Sequence, residues 1–162
     1  MILELTAPVA LSGAVSTRAS SETACYAVTQ LDAGRRHLQN SYSVGLGSVF
    51  HELIAVAEEC SEPDWDGYGA EPVSDESYRT AYRLLEALPL GTTAPTVGAD
   101  PDGQLTLEWY RSPRRTLSIS ISSQNELHYA ALIGPNRAFG MEAFFGEVPA
   151  RVVELIRRVG AA

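Results

Sequence analysis

From residue 105 onward the apolar side chains of this chain fall on every second position, and that period of two constrains its fold more than any other feature. Leu105, Leu107 and Trp109 alternate with Thr106, Glu108 and Tyr110. Leu117, Ile119 and Ile121 alternate with Ser118, Ser120 and Ser122, and Leu127, Tyr129, Ala131 and Ile133 with His128, Ala130 and Leu132. Successive side chains of a strand point to opposite faces, so each run predicts a strand with one buried side. Asp100-Pro-Asp-Gly103, Ser112-Pro113, Gln124-Asn125 and Gly134-Pro-Asn136 supply the turn chemistry between them. A further strand is expected over about 138–144. Turns this short join antiparallel neighbours, which predicts a meander of four to five strands.

Upstream the period is helical. Leu46, Val49, Phe50, Leu53, Ala57 and Cys60 predict an amphipathic helix over about 46–60, closed off by Pro63. Ser74 is a good N-cap for a second helix over about 75–88, with Asp75 and Glu76 at its positive end. Val73 and Tyr78 fit a hydrophobic staple, and Tyr78, Ala81, Tyr82, Leu85 and Leu88 form the expected buried stripe. Pro149 opens a last helix, apolar at Val152, Val153, Ile156 and Val159, with Arg157 and Arg158 near its negative end. Helices with one apolar stripe cover one face of a sheet and leave the other polar. The fold class is therefore α+β, a two-layer domain over residues 45–162 with helices packed on one face of an antiparallel sheet. Residues 1–44, rich in Ala, Ser and Thr where they precede residue 24, read as an N-terminal arm with a short helix over about 21–33, of which Tyr26-Ala-Val-Thr29 reads equally as a strand.

Composition narrows the function classes. The 162 residues suffice for one domain, and 45% hydrophobic residues suffice for a core. Twenty acidic residues stand against 12 basic ones, all arginine, for a net charge of -8. That balance argues against direct nucleic-acid binding, which needs clustered cations. The lack of lysine, which we attribute to GC-rich bacterial codon usage, removes Schiff-base and P-loop chemistry. Cys25 and Cys60 have no metal-ligand spacing, and His37, His51 and His128 are scattered, so neither structural zinc nor another cofactor is expected. The N-terminus lacks the charge pattern of a signal peptide, and no apolar run approaches the roughly 20 residues of a membrane span. A cytoplasmic protein with no membrane contact is expected.

The most distinctive stretch is the loop Asp64-Trp-Asp-Gly-Tyr-Gly-Ala70. Two glycines beside two large aromatics predict an unusual backbone with Trp65 and Tyr68 anchored in apolar surface. Nine of the 20 acids fall between Glu52 and Glu76, and no arginine does. Three readings stand side by side. In one, the loop is a rigid connection whose Asp side chains cap local N–H groups. In another, Glu58, Glu59, Asp64, Trp65, Asp66, Tyr68 and Glu71 form an acidic, aromatic docking surface for a protein partner with a basic surface. The third is calcium: counting Asp64 as position 1 puts Asp66 at 3, Gly69 at 6 and Asp75 at 12 of an EF-hand loop. Tyr68 at position 5 and Glu71 at position 8 break that pattern.

Trp65-Asp-Gly-Tyr-Gly-Ala-x-Pro-Val-Ser74, followed by Leu88-Pro89, Asp102-Gly-x-Leu-x-Leu-Glu-Trp109 and Leu127-x-Tyr-Ala-Ala131, resembles a family of small, uncharacterised bacterial proteins carrying a W-D-G-Y-G-A motif. The resemblance spans about residues 62–159. It implies a shared domain and no particular activity.

On the polar sheet face, aligning the apolar sides places His128 opposite Ser120 and Glu108 beside Ser118. Glu108, Ser120 and His128 evoke a nucleophile, base and orienter, on an open sheet without oxyanion donors. Tyr110, Leu132 and Phe144 are expected on the same outer face. Arg111, Arg114 and Arg115 at the second strand's turn read either as a phosphate clamp or as a charged hairpin tip. The sequence thus favours a non-catalytic protein-binding module of the antitoxin, immunity or inhibitor type, from a bacterial or phage system. A small enzyme using the sheet face or the Asp64/Asp66 loop is the first alternative. A structural domain that forms homo-oligomers is the second.

Overall fold

The computed structural model describes residues 45–161; the arm and short helix expected within residues 1–44 lie outside them. Helix α1 occupies residues 45–59 and α2 occupies Asp75–Ala87. Five strands follow: β1 (Thr96–Ala99), β2 (Leu105–Ser112), β3 (Arg115–Ile121), β4 (Glu126–Ile133) and β5 (Asn136–Ala143). Helix α3 (Ala150–Gly160) ends the domain. The strands pair in chain order, each antiparallel to the next, so the sheet is the meander that its short turns dictate.

Alternation sets the faces. Leu105, Leu107 and Trp109 on β2, Leu117, Ile119 and Ile121 on β3, and Leu127 and Ala131 on β4 are buried on one side. Leu46, Val49 and Leu53 of α1, Ala81, Leu84 and Leu85 of α2, and Val152, Leu155, Ile156 and Val159 of α3 join them in a single core. The result is a two-layer α+β domain in which, among the described residues, the helices lie on one face of the sheet. Ser74 caps α2 as expected, its Oγ accepting from Ser77 N at 3.1 Å. Val73 and Tyr78 are half-buried against the core, consistent with a staple. Thr80 Oγ1 donates to Asn125 Oδ1 at 2.9 Å, tying α2 to the β3–β4 turn.

Two expectations are corrected. Tyr82, assigned to the buried stripe of α2, lies partly in solvent with its ring centroid 4.9 Å from that of Phe50. Ser77, Thr80 and Leu84 take the inward positions instead, because they continue the 3.6-residue repeat through Ala81. Phe144, assigned to the outer face, is 1% exposed and buried in the core. Strand β5 turns Ala138 and Gly140 inward and Phe139 and Met141 outward, so residue 144 falls on the inner parity. Gly140 fixes that choice, since a Cβ there would lie 2.6 Å from Tyr129 Oη. Beyond the strand, Phe144 N donates to Asn125 O at 2.8 Å, and Arg83 lies over the buried ring.

Candidate functional site

The loop between α1 and α2 is built by its own side chains. Asp64 takes φ 65°, Gly67 φ 75° and Gly69 φ 90°, so three of the loop's seven residues are left-handed. Asp64 Oδ1 accepts from Gly69 N at 2.6 Å, while Asp66 Oδ1 accepts from Tyr68 N at 2.8 Å and Ala70 N at 3.1 Å. The backbone closes the turn with Asp64 N donating to Ala70 O and Gly67 N to Asp64 O. Trp65, half-buried, donates its Nε1 proton to Glu71 O at 3.0 Å and so staples the loop to its own exit. Neighbouring segments hold the base: Val73 N donates to Cys60 O, Glu71 N to Pro101 O and Ser74 N to Gly103 O. Gly103 has φ 78°, and a Cβ there would stand 2.7 Å from Pro72 O. The loop therefore seats directly on the β1–β2 turn, with Glu71 and Asp102 in a parallel bridge.

This geometry sorts the residues singled out in the sequence. Asp64 and Asp66 point inward at backbone N–H groups, the capping role. The EF-hand correspondence fails in the structure, where Asp64, Asp66 and Asp75 do not gather into one ligand group and Asp75 turns to Arg79. Among the described residues no group of three or more His, Cys, Asp or Glu side chains could hold a metal ion. Trp65 is half-buried and held by its hydrogen bond to Glu71 O, whereas Tyr68 is 94% exposed between Gly67 and Gly69, both at positive φ. Glu58, Glu59, Glu62, Glu71 and Asp75 are exposed around the same connection. Glu58 and Glu59 close α1 at the end where the helix dipole disfavours negative charge. Arg79 is the cation nearest in sequence, and it pairs with Asp75 at 3.9 Å and Glu76 at 3.4 Å. Cys60, buried beneath the loop, has its thiol pKa pushed up by desolvation and secondarily by the charge of Glu59.

The outer sheet face has the expected register, with Ser120 opposite His128 and Glu108 opposite Ser118. It does not assemble the Glu108, Ser120 and His128 trio. Ser120 Oγ donates to Asp100 Oδ2 at 3.0 Å and lies 3.2 Å from Thr106 Oγ1, which also donates to Asp100. His128 Nε2 turns along its own strand to Glu126 Oε2 at 3.5 Å. Glu108 sits one pleat away, opposite Thr96 of β1. Asp100 was not foreseen as the hub of this network; its signal was the D-P-D-G turn that aims its carboxylate back over β2 and β3. An open cleft of about 340 Å³ follows at the same end of the sheet, lined in part by Glu71, Asp102, Gln104, Ser122 and His128. Among the described residues every buried side-chain polar atom has a hydrogen-bond partner.

The three arginines of the β2–β3 hairpin do not converge on one point. Arg115 lies on the inner parity and donates to Ala161 O beyond α3, while Arg111 and Arg114 are exposed. A bulge between Tyr110 and Ser112 twists the hairpin end. No helix among the described residues is long and apolar enough to cross a membrane. Compared with known proteins, the chain matches no family model, no curated protein and no solved structure.

Proposed function

We propose that the chain is a non-catalytic protein-binding module, of the inhibitor, antitoxin or immunity type, that seats its acidic interhelical edge on a basic partner surface. The observation that carries this reading is the presentation of Tyr68. A loop braced by at least four internal hydrogen bonds and three to its base holds an aromatic ring 94% exposed, on a connection where the exposed Glu58, Glu59, Glu62 and Glu71 have no ion pair among the described residues. Stability of the fold does not require such a ring. An aromatic on a rigid stem loses little conformational entropy on binding and makes a good interface anchor. The surrounding charges add steering. Glu58 and Glu59 stand where they cost helix stability, so their placement calls for another reason, and attraction of a basic partner is one. Within this reading Asp64, Trp65 and Asp66 shape the loop, Tyr68 anchors, and Glu58, Glu59 and Glu71 steer.

The test is partner capture from the source organism with the intact chain and with an E58Q/E59Q/E71Q/Y68A variant of unchanged melting temperature. A partner held by the intact chain, released by raised salt and missed by the variant is expected. Equal recovery by both, or no specific recovery by the intact chain, overturns the proposal.

A further inference from the structure

The two edges of the sheet are guarded very differently. Strand β1 has four residues, and the Val97 N–H on its outer side already donates to Glu52 Oε1 of α1 at 3.1 Å. Strand β5 has eight residues in unbroken register with β4, from Asn136 opposite Ile133 to Ala143 opposite Glu126. It contains no proline, lysine or bulge, three of the devices that keep sheet edges from pairing, and its one inward-parity charge is the half-buried Glu142. Among the described residues no strand pairs with its outer side. Its outward side chains are Arg137, Phe139, Met141 and Ala143, with Phe139 83% and Met141 53% exposed.

We propose that β5 pairs antiparallel with β5 of a second copy of this chain, about a two-fold axis through Gly140, to give a continuous ten-stranded sheet. Symmetry limits the register. Residues facing each other across an antiparallel pair point to the same side. Only registers whose paired numbers sum to an even value therefore keep both helical layers together and both outer faces together. With the axis at Gly140, Phe139 faces Met141 of the second copy, and the same pair repeats across the axis. Four exposed apolar side chains then cover one another. Arg137 falls opposite Ala143 of the second copy, whose neighbour on β4 is Glu126 on the same outer face. Two strand spacings separate Arg137 from that Glu126, about 10 Å between backbones. Only an alanine methyl stands between them, so an extended guanidinium reaches the carboxylate. Arg137 has no ion pair or hydrogen bond of its own within the described residues. Moving the axis to Phe139 would instead set Arg137 opposite Met141, and moving it to Met141 would leave fewer residues paired. Charge and apolar matching thus select the same register, and they do so with residues separate from the Tyr68 loop.

The experiment is molar mass by size-exclusion chromatography with light scattering, on the full chain, over a dilution series reaching roughly 100 µM. A dimer is expected that dissociates on dilution. F139E should weaken it by at least about tenfold, with circular dichroism unchanged and melting unchanged at dilutions where both proteins are monomeric, because the side chain is exposed. R137E and E126R should each weaken it, and the R137E/E126R double variant should regain the dimer. A monomer throughout the series overturns the proposal. So does a dimer indifferent to F139E, or a double variant no tighter than either single one.

Discussion

The β1 end of the sheet and the β5 end differ in how their polar and apolar groups are used. At β1 nearly everything is internal. Glu52 holds the Val97 N–H, the β1–β2 turn accepts from Glu71 and Ser74, and Asp64 and Asp66 bond to loop N–H groups. At β5 an eight-residue edge carries Phe139 and Met141 into solvent with no described partner. The difference teaches that acidity and exposure are poor guides to function when read alone. Several of the conspicuous carboxylates support backbone, whereas an inconspicuous edge strand carries two exposed apolar side chains that the fold does not use. Tyr68 and the outer glutamates of the loop share that unexplained character, and Phe145, Leu90 and Tyr110 are exposed as well.

The sharpest way to break the β1 side is Gly103→Ala. Its Cβ would meet Pro72 O at 2.7 Å from a left-handed backbone, so the loop must leave the turn. A loss of about 3 kcal/mol in denaturant unfolding is expected. Gly134→Ala, near the β5 side, also sits at positive φ but meets nothing within 4 Å, so only about 1 kcal/mol should be lost. Second to Gly103→Ala is Asp66→Ala, which strands the Tyr68 and Ala70 N–H groups and should cost about 1–2 kcal/mol, measured the same way. Glu52→Ala should cost about 1 kcal/mol and speed amide exchange at Val97, while Glu52→Gln retains an acceptor and should change less.

The smallest effect is on pH. The raised thiol pKa of Cys60 means the folded state holds that proton more tightly than the unfolded chain does. Its contribution is complete below the unfolded value of 9.0 and is lost as pH climbs from there through the folded value. A Cys60→Ala variant should therefore show a flatter alkaline limb in melting temperature against pH. Slow alkylation of Cys60 in the intact protein checks the same point. An alkaline limb identical in both would show that the loop base does not seal the thiol.

Much of the fold was legible because strong alternation and short turns leave few options. The pairing of Ser120 with His128 followed from aligning Ile119 and Ile121 with Leu127 and Tyr129, and the structure has it. The Ser74 cap was equally plain, since a serine before two acids and a helical repeat has one natural use. Strand β1 had no individual signal: four residues including Gly98 are too few to show a period. The face of β5 was ambiguous for a different reason. Phe139 and Met141 on one parity compete with Ala138 and Phe144 on the other, and hydrophobicity alone cannot rank them.

The sequence by itself determined the strand order, the helical stripes and the local closure of the Asp64–Ala70 loop, because these depend on neighbours a few residues apart. Tertiary structure decided which side groups remain free. Tyr129 packed over Gly140 turned Phe144 inward and Phe139 outward. The seat on Gly103 and Pro101 fixed the loop so that Trp65 closed it and Tyr68 stood clear. Exposure is a property of what packs across a long separation in the chain, and no local pattern records it.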